Sequence, residues 1–132
     1  MAHRFIYTLL LLVPVTHIKA QQPNIDSLRH EIAVAQNDTL KMILFGIITE
    51  AYTETRPDSS VYFAQQQFTL ARKLNLKLDE VYALVYMGYG LLNMGNYPRA
   101  LQISLSAITI AEDPKSEENI LPGKVRIQKL RN

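Results

Sequence analysis

The sequence of 132 residues contains no cysteine. This absence excludes disulfide bonds, thiolate metal sites, cysteine nucleophiles and a lipid-modified cysteine. Histidine is scarce as well, because His30 is the one histidine after residue 20. A metal site needs three or four converging ligands, and no second histidine or cysteine stands in this part of the sequence to supply them. We therefore predict no metal, no cofactor and, since no nucleophile–base pair can be assembled, no enzymatic activity.

The chain also lacks a strong excess of charge of one sign, with a formal net charge of +2. Four basic residues lie in the last eleven positions, and residues 21–121 hold eight basic and twelve acidic side chains. A nucleic-acid-binding surface requires a basic patch or stripe. The sequence therefore predicts no nucleic-acid partner, and we interpret the basic end as a solvated terminus.

Long hydrophobic runs are absent except for one, from Phe5 to Val15, which follows the basic start His3–Arg4. At about ten residues the run is too short to span a bilayer, which takes roughly 20. Together with the polar stretch that ends at Ala20, it is typical of a secretory leader. We predict export to the periplasm or beyond, cleavage near Ala20 and no later membrane span. The alternatives are a buried N-terminal helix or an uncleaved anchor.

Apolar residues recur at three- and four-residue steps through residues 25–111, whereas the alternation typical of strands is absent. The pattern predicts an all-α fold of antiparallel helical hairpins with short connections. Arg56–Pro57 and the stretch 95–98 break the pattern as turns. The acidic pair Asp79–Glu80 is predicted to be solvated. The candidate N-caps are Asp26 or Ser27, Asn37 or Asp38, Asp58 and Asp79.

Small residues interrupt the last two predicted helices. A glycine inside a helix costs roughly 1 kcal/mol relative to alanine, so Gly88 and Gly90 need a packing reason. Two helices approach closely only where side chains are small and bulky residues fill the space opposite. Gly95, just past a helix, fits a left-handed C-cap. The small residues of the predicted seam are Gly88, Gly95, Ala100 and Ala107, and the bulky ones are Leu84, Met87, Leu91 and Tyr97.

With these residues in register, the segment resembles a tetratricopeptide repeat (TPR), a helix–turn–helix unit of about 34 residues. It departs from the family pattern at Ser104, where an aromatic residue is usual. Ala64, Phe68 and Ala71 resemble the second-helix pattern of a preceding repeat, whose register could instead start from Ser60. The matching positions read Leu84-x2-Met87-Gly88-x2-Leu91-x3-Gly95-x-Tyr97-x2-Ala100-x6-Ala107.

The order of segments resembles the exported N-terminal sensory regions of bacterial TPR-containing histidine kinases and related regulators. The predicted division is a leader at 1–20, a short N-terminal helix at 21–37, TPR-like repeats at 38–114 and an irregular basic tail at 115–132. Within that tail a short helix is predicted at residues 116–121.

The TPR resemblance implies a non-catalytic module that binds a protein or peptide in the groove formed by the first helix of each hairpin. It places Tyr82, Val85, Tyr89 and Asn93 toward that groove, with Tyr52 as a weaker candidate. Packing against the neighbouring hairpin is the alternative role for these tyrosines. The alternative function is that of a truncated input region of a sensor histidine kinase without its output domain.

The final predicted helix carries more apolar surface than one partner helix can cover. Either the tail from Ile120 to Leu130 folds over it, or the exposed patch promotes self-association or binding. A truncated relative of a longer sensor would also leave such a surface. The apolar residues concerned are Leu101, Ile103, Leu105, Ile108 and Ile110.

Overall fold

The computed structural model describes residues 23–118, and within this range it consists of helices without any strand. The predicted leader, its cleavage at Ala20 and the tail from residue 119 lie outside the described residues. The predicted all-α class is confirmed. The helices are α1 (Ile25–Val34), α2 (Asp38–Tyr52), α3 (Pro57–Lys73), α4 (Lys77–Asn93) and α5 (Tyr97–Ala111), followed by a 3-10 turn at Pro114–Glu118.

Two asparagines cap the first two helices. The Asn24 side chain accepts hydrogen bonds from the backbone of Asp26 and Ser27, so the predicted caps lie inside the first turn and that prediction is wrong by two residues or more. Asn37 accepts from two backbone N–H groups of α2, as predicted. An asparagine side chain before a helix satisfies N–H groups that have no partner within the helix.

The caps predicted at Asp58 and Asp79 are wrong, because α3 begins at Pro57 and α4 begins at Lys77. Neither helix has a side-chain cap. Proline at the first helical position fixes a helical φ, and its missing N–H costs nothing there. Both aspartates therefore lie within the first turn of their helices, where a carboxylate is favoured by the helix dipole.

Left-handed residues end α3 and α4. Gly95 has a φ of 75°, as predicted, and Asn75 has a φ of 55°. At each end two backbone N–H groups bond back to the last turn: those of residues 75 and 76 to Arg72 and Ala71, and those of residues 95 and 96 to Leu92 and Leu91. This double bonding is the Schellman arrangement, which turns the chain within three residues.

The short turns place consecutive helices side by side. α2 packs on α3, α3 on α4 and α4 on α5, while α1 lies against α2, and α2 also touches α4. Two hairpins, α2–α3 and α4–α5, are thus stacked along one direction. The predicted short TPR-like solenoid is confirmed.

The core lies around α4, where Leu84, Met87 and Leu91 are almost fully buried. Ala100 and Ala107 of α5 pack against them, as predicted. Gly95 was also predicted for the seam, and that part is wrong, because a Cβ atom added there would meet no atom within 4 Å. Tyr97 does not fill this seam, because its side chain is 66% exposed at the first position of α5. That part of the prediction is wrong.

Each internal glycine of α4 faces a different neighbour. A Cβ atom added at Gly88 would lie 3.2 Å from Ser104 Oγ and 3.9 Å from the Ala100 carbonyl oxygen of α5. A Cβ atom at Gly90 would lie 2.7 Å from Val61 Cγ2 and 3.1 Å from the Pro57 carbonyl oxygen of α3. The two glycines therefore allow α4 to lie close to both helices that flank it.

The first hairpin follows the alternative register, which starts from Ser60, rather than the one that starts from Ala64. Ser60 Oγ donates to the Thr49 carbonyl at 2.9 Å, and the buried Gln67 side chain covers Gly46. These residues of α3 face α2, which supports the register that starts from Ser60. Ala64 instead joins the core around α4, with Phe68 packed against that core. Ala64 and Phe68, which were predicted to close the first hairpin, thus connect the first hairpin to the second.

Asp79 and Glu80 are buried, with 1% and 2% of their surface exposed, so the prediction of a solvated pair is wrong. Lys77 Nζ donates to Glu80 Oε1 at 2.7 Å, one turn away on α4. Glu80 also lines a hollow together with Phe68 of α3. A carboxylate at such a site is retained only because a partner compensates its charge.

Candidate functional site

The five residues predicted for the groove do not share one surface. Tyr52 is buried, with its ring 6.1 Å from that of Phe63 and the Arg56 guanidinium 5.3 Å above it, so it belongs to the packing between α2 and α3. The other four residues, Tyr82, Val85, Tyr89 and Asn93, are exposed along α4.

The two first helices present matching exposed rows. Gly46 of α2 corresponds to Gly88 of α4, since a Cβ atom at either would meet a side chain of the following helix. The same offset of 42 residues pairs three exposed apolar residues of α2 with three exposed residues of α4. We call these six residues the groove surface: Leu40, Ile43 and Ile47 of α2, and Tyr82, Val85 and Tyr89 of α4.

Three tyrosines follow one another on α4. The rings of Tyr82 and Tyr86 are 4.8 Å apart, and those of Tyr86 and Tyr89 are 6.2 Å apart in an edge-to-face arrangement. The Tyr82 hydroxyl lies 3.4 Å from both Glu50 Oε2 and the Tyr86 hydroxyl. The contact with Glu50 ties the second repeat to the end of α2. Tyrosine rings with polar tips are suited to holding a peptide.

An acidic pocket of about 310 Å³ lies where the ends of α2 and α4 meet. Glu50 and Glu54 are exposed and are the charged residues of its lining, which contains no basic side chain. Two tyrosine faces close to two carboxylates form an environment that attracts a cation. We use the name acidic pocket for Glu50, Thr53, Glu54, Tyr86, Tyr89 and Asn93.

Asn93 has a defined position in this pocket. Its Nδ2 atom donates to the Thr53 carbonyl oxygen at 2.8 Å, which joins the last turn of α4 to the end of α2. One amide hydrogen therefore satisfies a backbone carbonyl of the first hairpin. The side chain is held in place at the side of the pocket, which lowers the entropy lost when a ligand binds.

Burial raises the pKa of the Tyr82 hydroxyl. It raises the pKa of Tyr86 as well, where the hydrogen bond to Tyr82 and the negative charge of Glu50 act in the same direction. Both side chains are therefore neutral at physiological pH and present hydroxyl groups rather than phenolates.

A loss of stability at alkaline pH follows from the raised pKa of Tyr86. Below pH about 10 this tyrosine is neutral in the folded and unfolded chains alike. At higher pH the unfolded chain ionises first, so the free energy of unfolding should fall as pH rises. Urea unfolding followed by circular dichroism between pH 9 and pH about 11.5 measures this fall. Tyr86→Phe and Glu50→Gln should each make it smaller, and an unchanged slope in both variants would contradict the assignment.

The sequence did not identify Glu50, Thr53 or Glu54 as site residues. They lie at the end of α2 and come next to Tyr86 and Asn93 only through the stacking of the two hairpins. Glu50 lies in the last turn of α2 and Glu54 just after its end. Their proximity in the pocket could be predicted only if the register and the end of the first helix were known.

Residues 23–118 contain no group of three or more His, Cys, Asp or Glu side chains arranged to hold a metal ion. His30 lies exposed on α1. In the same range no helix combines the length and the apolar character needed to cross a membrane.

The chain matches a known protein family. The family described as the SusR N-terminal TPR domain matches residues 16–119, which is most of the sequence. The search of curated proteins and the search of solved structures give no match.

Proposed function

This chain belongs to the family of SusR N-terminal TPR domains, and on that basis we propose that it is an exported protein-interaction module that binds an extended segment of a partner protein. TPR domains are generally non-catalytic and present a concave surface to their ligands. The groove surface supplies such a site, with exposed aliphatic residues on α2 and tyrosines on α4. The leader-like residues 1–20 support export.

The acidic pocket indicates which chemistry the segment carries. Glu50 and Glu54 place two negative charges beside the Tyr86 and Tyr89 rings, and no basic side chain of the pocket neutralises them. A lysine or arginine of the bound segment would pair with the carboxylates and lie against the rings. The observation that carries the proposal is this combination of an apolar row and an acidic pocket on one surface.

Selection of random 12-residue peptides displayed on phage tests the binding role directly. We expect enriched peptides to contain a lysine or arginine close to apolar residues. Synthetic fluorescent versions of these peptides then give dissociation constants by fluorescence anisotropy. The double variant Glu50→Gln/Glu54→Gln should weaken binding about tenfold, because each exposed ion pair contributes up to about 1 kcal/mol.

A matched variant distinguishes the effect of the pocket's own charges on affinity from the effect of the protein's net charge. Asp26→Asn/Glu31→Gln also removes two negative charges, here from exposed positions of α1. It should leave the affinity unchanged within about twofold. Enrichment of no peptide would contradict the binding role. Enrichment of peptides without a basic residue would retain the groove but overturn the role of the acidic pocket.

A second candidate function is the input region of a sensor or regulator. The family is described as an N-terminal domain, which supports a role in front of further domains. The DNA downstream of the codon for Asn132 tests this candidate. A membrane span and a kinase domain encoded there would support it, and unrelated downstream sequence would count against it.

A further inference from the structure

The last hairpin exposes a second apolar surface, on α4 and α5. Its side chains are between 38% and 63% exposed. On α5 they recur at steps of four and three residues and so lie along one face of the helix. We call this surface the terminal face: Val85, Tyr89 and Leu92 of α4, and Leu101, Leu105 and Ile108 of α5.

A hollow of about 270 Å³ lies between the two helices of the terminal face. Small residues, including Gly88, Ser104 and Ala107, line it together with the larger Tyr89 and Ile108. A surface with a hollow framed by projecting apolar side chains can accept side chains from a partner and bury them.

The first hairpin shows how this chain covers a comparable face. Val61, Ala64 and Phe68 of α3 are covered by α4 of the next hairpin. After α5 the described chain forms the 3-10 turn at Pro114–Glu118, which packs on α4 and α5. The six residues of the terminal face stay exposed beside it.

The terminal face has no charge that would oppose pairing with itself. No charged residue occurs between Val81 and Asn93 of α4 or between Ala100 and Ala111 of α5. In a two-fold arrangement the same patch of each copy faces the other, so like charges would stand opposite each other. Their absence makes this patch compatible with a second copy.

The exposed fractions of the six side chains correspond to about 500 Å² in each copy. Two terminal faces in contact would therefore bury about 1,000 Å², which is the size at which specific interfaces begin. We propose that the terminal face joins two copies of this chain in a closed, two-fold dimer. In the dimer, α5 of each copy covers the hollow of the other.

Sedimentation equilibrium of the full chain tests this proposal. We expect twice the 15.0 kDa mass of the whole sequence, or twice the mass of the processed chain, at micromolar concentration. Leu105→Glu should raise the dimer dissociation constant at least about 100-fold, because it places two carboxylates in an apolar contact. Val34→Glu on α1 is the matched control, since both side chains are 55% exposed, and it should change the constant by less than about threefold.

Cross-linking gives a second readout that does not depend on weakening the dimer. The chain has no cysteine, so Leu105→Cys introduces its one thiol. A bis-maleimide reagent with a short spacer should link Leu105→Cys into covalent dimers and leave Val34→Cys mainly monomeric. Circular dichroism confirms that each variant keeps its helices.

Three outcomes would overturn the proposal. A monomer at all concentrations up to about 100 μM would show that another segment covers the face or that it stays open. A mass that grows without limit would indicate head-to-tail stacking instead of a closed dimer. Equal dissociation constants for Leu105→Glu and the parent chain would place the contact elsewhere. Leu105 is not part of the acidic pocket, but Val85 and Tyr89 belong to both the terminal face and the groove surface. Peptide affinity is therefore measured on Leu105→Glu as well, so that loss of the dimer and loss of peptide binding are read separately.

Discussion

Replacing Leu84 with alanine should lower the free energy of unfolding by about 3 kcal/mol, within the range of 2–5 kcal/mol for buried leucines. Leu84 is 4% exposed and packs between Ala64 of α3 and the alanines of α5. Where the neighbours are alanines, the helix backbones already lie close together and cannot move inward to fill the space. The cavity left by Leu84→Ala should therefore remain largely open.

Urea unfolding of all variants at one protein concentration measures this effect, since dimerisation would otherwise change the apparent stability. Leu40→Ala on the groove surface is the control, because Leu40 is 46% exposed. We expect it to cost less than about 1 kcal/mol. A loss below 1 kcal/mol for Leu84→Ala would mean that the core around α4 is not packed as described.

Gly90→Ala should lower the free energy of unfolding by about 2 kcal/mol, although alanine is the better helix former. The gain in helix propensity is roughly 1 kcal/mol. Against it, the new methyl group would lie 2.7 Å from Val61 Cγ2 and 3.1 Å from the Pro57 carbonyl oxygen. A backbone atom and a β-branched side chain cannot easily move aside, so the α3–α4 seam must widen.

Gly88→Ala is the matched comparison on the same helix. Its nearest obstacle is Ser104 Oγ at 3.2 Å, the end of a small side chain. We expect a change of less than about 1 kcal/mol. In the double variant Gly90→Ala/Val61→Ala part of the lost stability should return, with a coupling energy of about 1 kcal/mol. Equal effects of alanine at positions 88 and 90 would contradict the two-sided contact of α4.

The regular spacing of small and bulky residues made the second hairpin predictable. Gly88, Ala100 and Ala107 indicated a close seam, and Gly95 indicated the turn, because each requirement is local to a short stretch of sequence. The neighbour of Gly90 was not predictable in the same way. Position 90 favours glycine because α3 lies against it, and the contact between α3 and α4 arises only when the two hairpins stack.

The errors at Asp79 and Glu80 also have a structural origin. Acidic residues at the start of a helix usually act as caps or face water. Here α4 starts at Lys77, two residues before Asp79, and this shift turns both carboxylates into the protein. Lys77 then pairs with Glu80. The three-residue spacing allows this contact on a helix but does not require it.

The groove was predicted mainly on α4, with Tyr52 as the one residue of α2. Tyr82, Tyr89 and Asn93 were found from the register of the second repeat, whereas Glu50 and Glu54 depend on the first repeat, whose turn lacks the usual signature. Tyr52 was assigned from its position at the end of a first helix. The aromatic neighbour Phe63 and the guanidinium of Arg56 hold it in the interior instead.

The sequential stacking of the helices has a consequence for how the chain folds. Most contacts between helices join elements that follow one another, and a turn of three residues, 74–76, separates α3 from α4. Contacts between segments close in sequence need little loop-closure entropy, so such chains fold in microseconds to milliseconds. We expect the contacts of α4 with α3 or α5 to form first and the outer helices to add to that pair.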